Sequence, residues 1–199
     1  MIEPAPPYRG EQRHALWHVS EDPTIERFEP RGGRVWAIDT RHLPLYSTPR
    51  SADALPGGPV VWAVDTRHLP LYWFPRDCPR ATFWADSTTC DADVAAFLGG
   101  DRRRRVHAVE PEWLDAMRTT KVVAYRLPAR TFTRWDRFWV SSAAVEPLEL
   151  VTLGDLVERH ADAGIRLETE PDLLALWDRV AASTLDFSGI RLQNARLTA

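Results

Sequence analysis

The chain has 199 residues, 44% of them apolar and 27% charged, with a formal net charge of -3. That balance allows a sizeable hydrophobic core and excludes a disordered chain, and it argues against nucleic acid or an anionic membrane as the main partner. Cys78 and Cys90 cannot build a disulfide framework or a zinc ribbon, and no segment has the roughly 18 apolar residues that span a bilayer, so a soluble cytoplasmic protein without a metal site is expected.

Residues 1–14 are polar and proline-rich and read as a loose arm, which leaves 15–199 as a single globular domain. "ALWHVS" predicts a strand, and "EDPTIERF" the opening of a short helix capped by Ser20. "PVVWAVD" has a buried-strand pattern and leads into "TRHLPLYWF", a helical turn broken at Pro70. A strand "RATFWA" and a helix "DADVAAFL", closed by Gly99 and Gly100, follow. The run Arg102 to Arg105 reads as a solvated loop rather than a phosphate patch. Beyond it come a strand "RVHAVE", a helix "PEWLDAM" with proline at its first position, and strands "KVVAYRL", "RFWVSS" and "VEPLELVTL". The remainder looks helical, through "LGDLVERHADAG" and the one-face pattern of "PDLLALWDRVAAS". Because the strands are short and the later ones run consecutively, the expected fold is α+β, with a mixed or mainly antiparallel sheet and flanking helices.

One feature interrupts this order. "VWAIDTRHLPLYSTPR" (35–50) and "VWAVDTRHLPLYWFPR" (61–76) differ only at Ile38/Val64, Ser47/Trp73 and Thr48/Phe74. The second copy runs on through Trp73 and Phe74 into an apolar stretch, whereas the first falls into "PRSADALPGG". A tandem duplication accounts for the pair, with the second copy the working one and residues 35–60 a surface insertion or, alternatively, an extra edge strand.

The common nucleotide, zinc-protease, hydrolase and calcium motifs are missing. His18 lies inside the apolar "LWHVS" and needs a partner: either a backbone carbonyl in the core, or a ligand. Helical spacing puts His68 and Tyr72 on one face, unless Tyr72 is core and His68 solvated. Arg76 and Arg80 flank Cys78 and would favour its thiolate, but the prolines of "PRDCPR" suit a rigid turn and a structural cysteine. The nine tryptophans read first as core residues and second as a cleft lining.

"LWHVSEDPTIERFEPR", "VVWAVDTRHLPLYWFPRDCPR" and "STLDFSGIRLQNA" together resemble an uncharacterised bacterial family, a domain of unknown function, over nearly all of the chain outside the arm and the first copy. More distantly, a histidine in the first core strand and a later strand-to-helix segment ending in an aromatic are similar to the ADP-ribosyltransferase-like fold. That resemblance implies NAD or a related small-molecule nucleotide as ligand, with His18 holding the ribose and Tyr72 packing on nicotinamide. Ser141 would be the third catalytic element, and Ser20 and Arg76 would join His18 and Tyr72 in binding the cofactor. Glu146 and Glu149 follow Ser141, and the ExE at Glu168 to Glu170 reads as helix-start chemistry. The competing class is a non-catalytic ligand-binding or protein-interaction module.

Overall fold

A computed structural model describes residues 15–31, 58–135 and 138–197. The expected N-terminal arm (1–14) and nearly all of the expected 35–60 insertion lie outside the described residues. In chain order the elements are β1 (Leu16–Ser20), β2 (Val61–Asp65), a 3-10 turn (Leu69–Tyr72), β3 (Arg80–Trp84), α1 (Asp91–Leu98), β4 (Arg105–Val109), α2 (Leu114–Thr119) and β5 (Val123–Leu127). They continue with β6 (Thr133–Trp135), β7 (Phe138–Ser141), β8 (Glu149–Thr152), α3 (Leu156–Asp162), β9 (Arg166–Thr169), α4 (Leu173–Ala181) and β10 (Asp186–Ile190). The fold class is α+β, with the described strands in two mostly antiparallel sheets.

The chain divides into two compact units. The first takes residues 8–73 and 121–153 and carries a six-stranded sheet in the order β6-β7-β2-β1-β5-β8, antiparallel throughout. Strand alternation sorts its side chains. Leu16, Val61, Ala63, Val123, Tyr125 and Leu127 enter one core with Phe28, Phe132 and Val145. Trp17, one residue on from Leu16, is buried as well, and its indole N–H donates to Thr66 Oγ1 at 3.0 Å.

The second unit takes residues 74–120 and 154–199 and holds a four-stranded sheet, β10-β3-β4-β9, in which only β4 and β9 run parallel. β3 and β4 are buried along their whole length, as central strands covered on both faces are. α4 lays Trp177 edge-on against Phe187 of β10, with ring centroids 5.2 Å apart. Gly189 makes that approach possible, since a Cβ there would come within 2.7 Å of the Trp177 ring.

Three expectations are corrected. "EDPTIERF" forms turns instead of a helix, because Ser20 Oγ accepts from the Asp22 N–H and Asp22 Oδ1 accepts from the N–H and hydroxyl of Thr24. Pro70 does not break the 3-10 turn but sits at its second residue, where a missing N–H leaves no helical bond unmade. The C-terminal part is not all helical: β9 and β10 each add an edge to the four-stranded sheet. In the arginine run Arg102 and Arg103 are exposed, as a solvated loop would have them, while Arg102 and Arg104 donate to the carbonyls of Thr89 and Leu98 around α1 and Arg105 is buried in β4.

Candidate functional site

His18 stands on β1, opposite Tyr125 of β5. On the other side the β1–β2 ladder is paired at Leu16↔Asp65 and Trp17↔Val64. Immediately beyond, the His18 ring takes over: Nδ1 lies 2.9 Å from the Trp62 carbonyl. A carbonyl only accepts, so Nδ1 carries the proton and, in the neutral ring, Nε2 is the acceptor. Phe28 packs against the half-buried imidazole at 4.7 Å and edge-on against Tyr125 at 5.2 Å.

Ser20 and Ser141 share this sheet face. Ser20 follows His18 at the strand period and faces Val123, and Ser141 faces Val61, both members of the same core. Each hydroxyl has a local partner. Ser141 Oγ donates to the Ala143 carbonyl at 3.1 Å and accepts its N–H at 3.2 Å, while Ser20 Oγ accepts from Asp22. Tyr72 closes the 3-10 turn and is half-buried. Upstream of that turn, His68 pairs with Asp65, Nδ1 to Oδ1 at 2.7 Å. Burial works to raise the Asp65 pKa, and the hydrogen bond and charge of His68 overcome it, leaving the carboxyl below its ordinary value.

Arg76 belongs to the second unit, where it is exposed and its carbonyl accepts from Arg191 Nε. Cys78 lies in that unit too, fully buried with its thiol toward the Pro79 carbonyl. Burial pushes the thiol up to about 12; Arg80 opposes this and Glu110 adds to it. The arginine flanks noted in the sequence are outweighed, and Cys78 is structural.

The first unit also carries an open groove of about 460 Å³ between residues 23–26 and 147–150, floored by Tyr125. The Tyr125 hydroxyl ties the loop wall in place, donating to the Asp22 carbonyl at 2.7 Å and accepting from the Ile25 N–H at 3.1 Å. Leu148 and Leu150, on the opposite wall, are 57% and 41% exposed. Leu150 pairs with Tyr125 and Tyr125 with His18, so one row of side chains runs from the histidine to the groove.

A family model described as a family of unknown function (DUF6886) matches residues 17–55 and 51–195. The chain belongs to DUF6886. No curated protein and no solved structure matches it.

In this DUF6886 chain a buried pair of perturbed side chains also lies where no sequence motif pointed. His107 (β4) and His160 (α3) are fully buried in the second unit, His107 Nδ1 at 2.9 Å from His160 Nε2 and His160 Nδ1 at 2.6 Å from the Leu156 carbonyl. That carbonyl fixes the proton on His160 Nδ1. His160 Nε2 then accepts from His107, and His107 Nε2 is left as a buried lone pair with no hydrogen-bond partner among the described residues. Phe74 packs on both rings at 5.5 and 5.0 Å, with the Arg80 guanidinium 4.9 Å over its face. Burial, then the charges of His160, Arg105 and Arg80, hold His107 well below its ordinary value. Burial also brings His160 down to about 4, against the pull of the Leu156 carbonyl and with help from Arg105, Arg159 and Arg80. Each histidine looks solitary in the sequence, and only the packing of α3 on this sheet makes them a pair.

Proposed function

We propose that the first unit binds NAD or a related nucleotide and acts in nucleotide-related group transfer on an ADP-ribosyltransferase-like scaffold, in the cytoplasm. His18 is the hydrogen-bonding residue, Tyr72 the stacking ring and Ser141 the third element, with Ser20 assisting in binding; Arg76 belongs to the second unit and has no part in this reading. The observation that supports it is the row His18–Tyr125–Leu150. It joins a histidine of fixed tautomer to an open, ring-floored groove on one sheet face. Sites of this kind combine apolar walls with a few oriented polar groups.

The test is a set of melting curves and tryptophan-fluorescence titrations with NAD and ADP-ribose on the wild type, His18→Ala, Tyr72→Ala and Tyr72→Phe. His18→Ala should cost about 1 kcal/mol of stability, for the bond to Trp62, and abolish the ligand-dependent shift. Tyr72→Phe should retain more of that shift than Tyr72→Ala, since stacking needs the ring more than the hydroxyl. A wild type that responds to neither ligand sinks the reading. The second reading, a non-catalytic binding module, is favoured by the exposure of Leu148 and Leu150 in the groove.

A further inference from the structure

The groove has an open backbone edge as well as an apolar wall. Among the described residues β8 is the last strand of the six-stranded sheet. The Leu153 N–H bonds to the Val122 carbonyl at 2.9 Å, which makes those two a hydrogen-bonded pair of the β5–β8 ladder. By alternation Val151 and Glu149 turn their backbone groups toward β5, while Leu150 and Thr152 aim theirs away from it. An outward N–H and C=O therefore sit on the same residue whose side chain is exposed in the groove. Such an edge pairs readily with a strand from outside.

Charge selects the occupant. Among the described residues the charged side chains lining the groove are Glu26 and Glu149, both acidic. The two walls and their flanks, residues 22–29 and 146–150 with Arg126 beside them, carry five carboxylates (Asp22, Glu26, Glu29, Glu146 and Glu149) against the two guanidiniums of Arg27 and Arg126. Those arginines are already engaged, Arg27 with Glu29 and Glu146, and Arg126 with Glu149 at 2.8 Å. A second copy of the chain pairing through β8 would bring the same carboxylates together. A basic strand would meet them with opposite charge.

We propose that β8 and the groove beside it receive an extended segment of a partner protein, in which apolar residues alternate with Lys or Arg. The segment adds to the sheet at Leu150 and Thr152, its apolar side chains on Leu148, Leu150 and Ile25. This deepens the binding-module reading; it uses the groove that the nucleotide reading also invokes, and the two are told apart by the separate test at His18.

The experiment measures fluorescence anisotropy of two labelled synthetic peptides, one alternating Lys and Val, the other alternating Glu and Val, with sedimentation of the protein alone in parallel. Leu150→Pro removes an outward donor and no β5 bond, because proline is tolerated on an edge strand where its nitrogen faces away from the ladder. The Lys-Val peptide should bind the wild type and weaken with salt. It should bind Leu150→Pro and Glu26→Lys about tenfold less well, the effect of one hydrogen bond or one charge contact. Should Leu150→Pro fail to fold, the exposed Glu26→Lys still decides. Equal binding of both peptides overturns the charge argument and leaves a non-selective binding surface. No binding by either, or a dimer that Leu150→Pro dissolves, overturns the proposal, while the NAD titration settles the other reading separately.

Discussion

At the scale of single residues, environment decides chemistry, and sequence neighbours are a poor guide to it. Arg76 and Arg80 bracket Cys78 in the sequence, yet the thiol is pushed up to about 12 because burial outweighs the nearby positive charge. Cys90, in contrast, is exposed at the start of α1. Alkylation of the native protein with iodoacetamide at neutral pH should therefore modify Cys90 first, and Cys78 only on unfolding, as read by peptide mass mapping. Fast labelling of Cys78 would show a thiolate that this burial forbids. His18 is the opposite case, for its need of a partner was legible in the apolar run around it. The partner itself, the Trp62 carbonyl, was not, because 44 residues separate the two and only strand pairing joins them.

At the scale of elements, β4 and α3 are tied by the His107–His160 pair, and their neutral state gives stability a pH dependence of definite sign. Both rings take a proton less readily folded than unfolded, so the unfolded chain binds the extra protons as pH falls. Their contribution is intact above the ordinary value of 6.5. It is lost on the way down toward about 4, where His160 protonates even when folded. Each proton taken up by the unfolded chain alone costs about 1.4 kcal/mol per pH unit. Urea unfolding should show stability nearly level above pH 6.5 and falling below it, the slope steepening toward two protons by pH 5, and the ring nitrogens should report neutral imidazoles at pH 5.5. A flat profile, or protonated rings at that pH, would show that the pair is hydrated. The lowered carboxyls of Asp22, Asp65, Asp86 and Asp93 shift stability in the same direction, but only below the ordinary carboxylate value of 3.8. Strands such as β3 and β5 were legible because their apolar residues run or alternate cleanly. β10 was not, since Asp186, Ser188 and Gly189 break the pattern and pairing with β3 supplies what local propensity does not.

At the scale of the whole molecule, the α+β class followed from short strands in succession, but the assignment of those strands to two sheets depends on pairings between segments far apart in the chain. The repeated segment belongs to this scale, and the residues flanking it give it a test. Arg31 and Val60 form a bridge, each N–H bonded to the other's carbonyl at 3.1 Å, so the two residues that flank the repeated segment are held side by side. The family model likewise matches in two pieces, 17–55 and 51–195, which meet between the copies. Deleting residues 34–59 would keep buried Val60 and join Arg31 to it through Gly32 and Gly33 alone. Gly-Gly is among the preferred two-residue connections of a hairpin. The intervening chain shrinks from 28 residues (32–59) to two, nearly four halvings. At about 0.6 kcal/mol each, loop closure then favours the shortened protein by up to roughly 2 kcal/mol. If residues 35–60 are a duplicated surface insertion, the deletion variant should be folded, at least as stable as the parent in urea, and unchanged in its response to NAD or to the Lys-Val peptide. A variant that expresses only as aggregate, or that loses more than about 2 kcal/mol, would show instead that the first copy contributes buried contacts of its own, on the scale of a large core truncation.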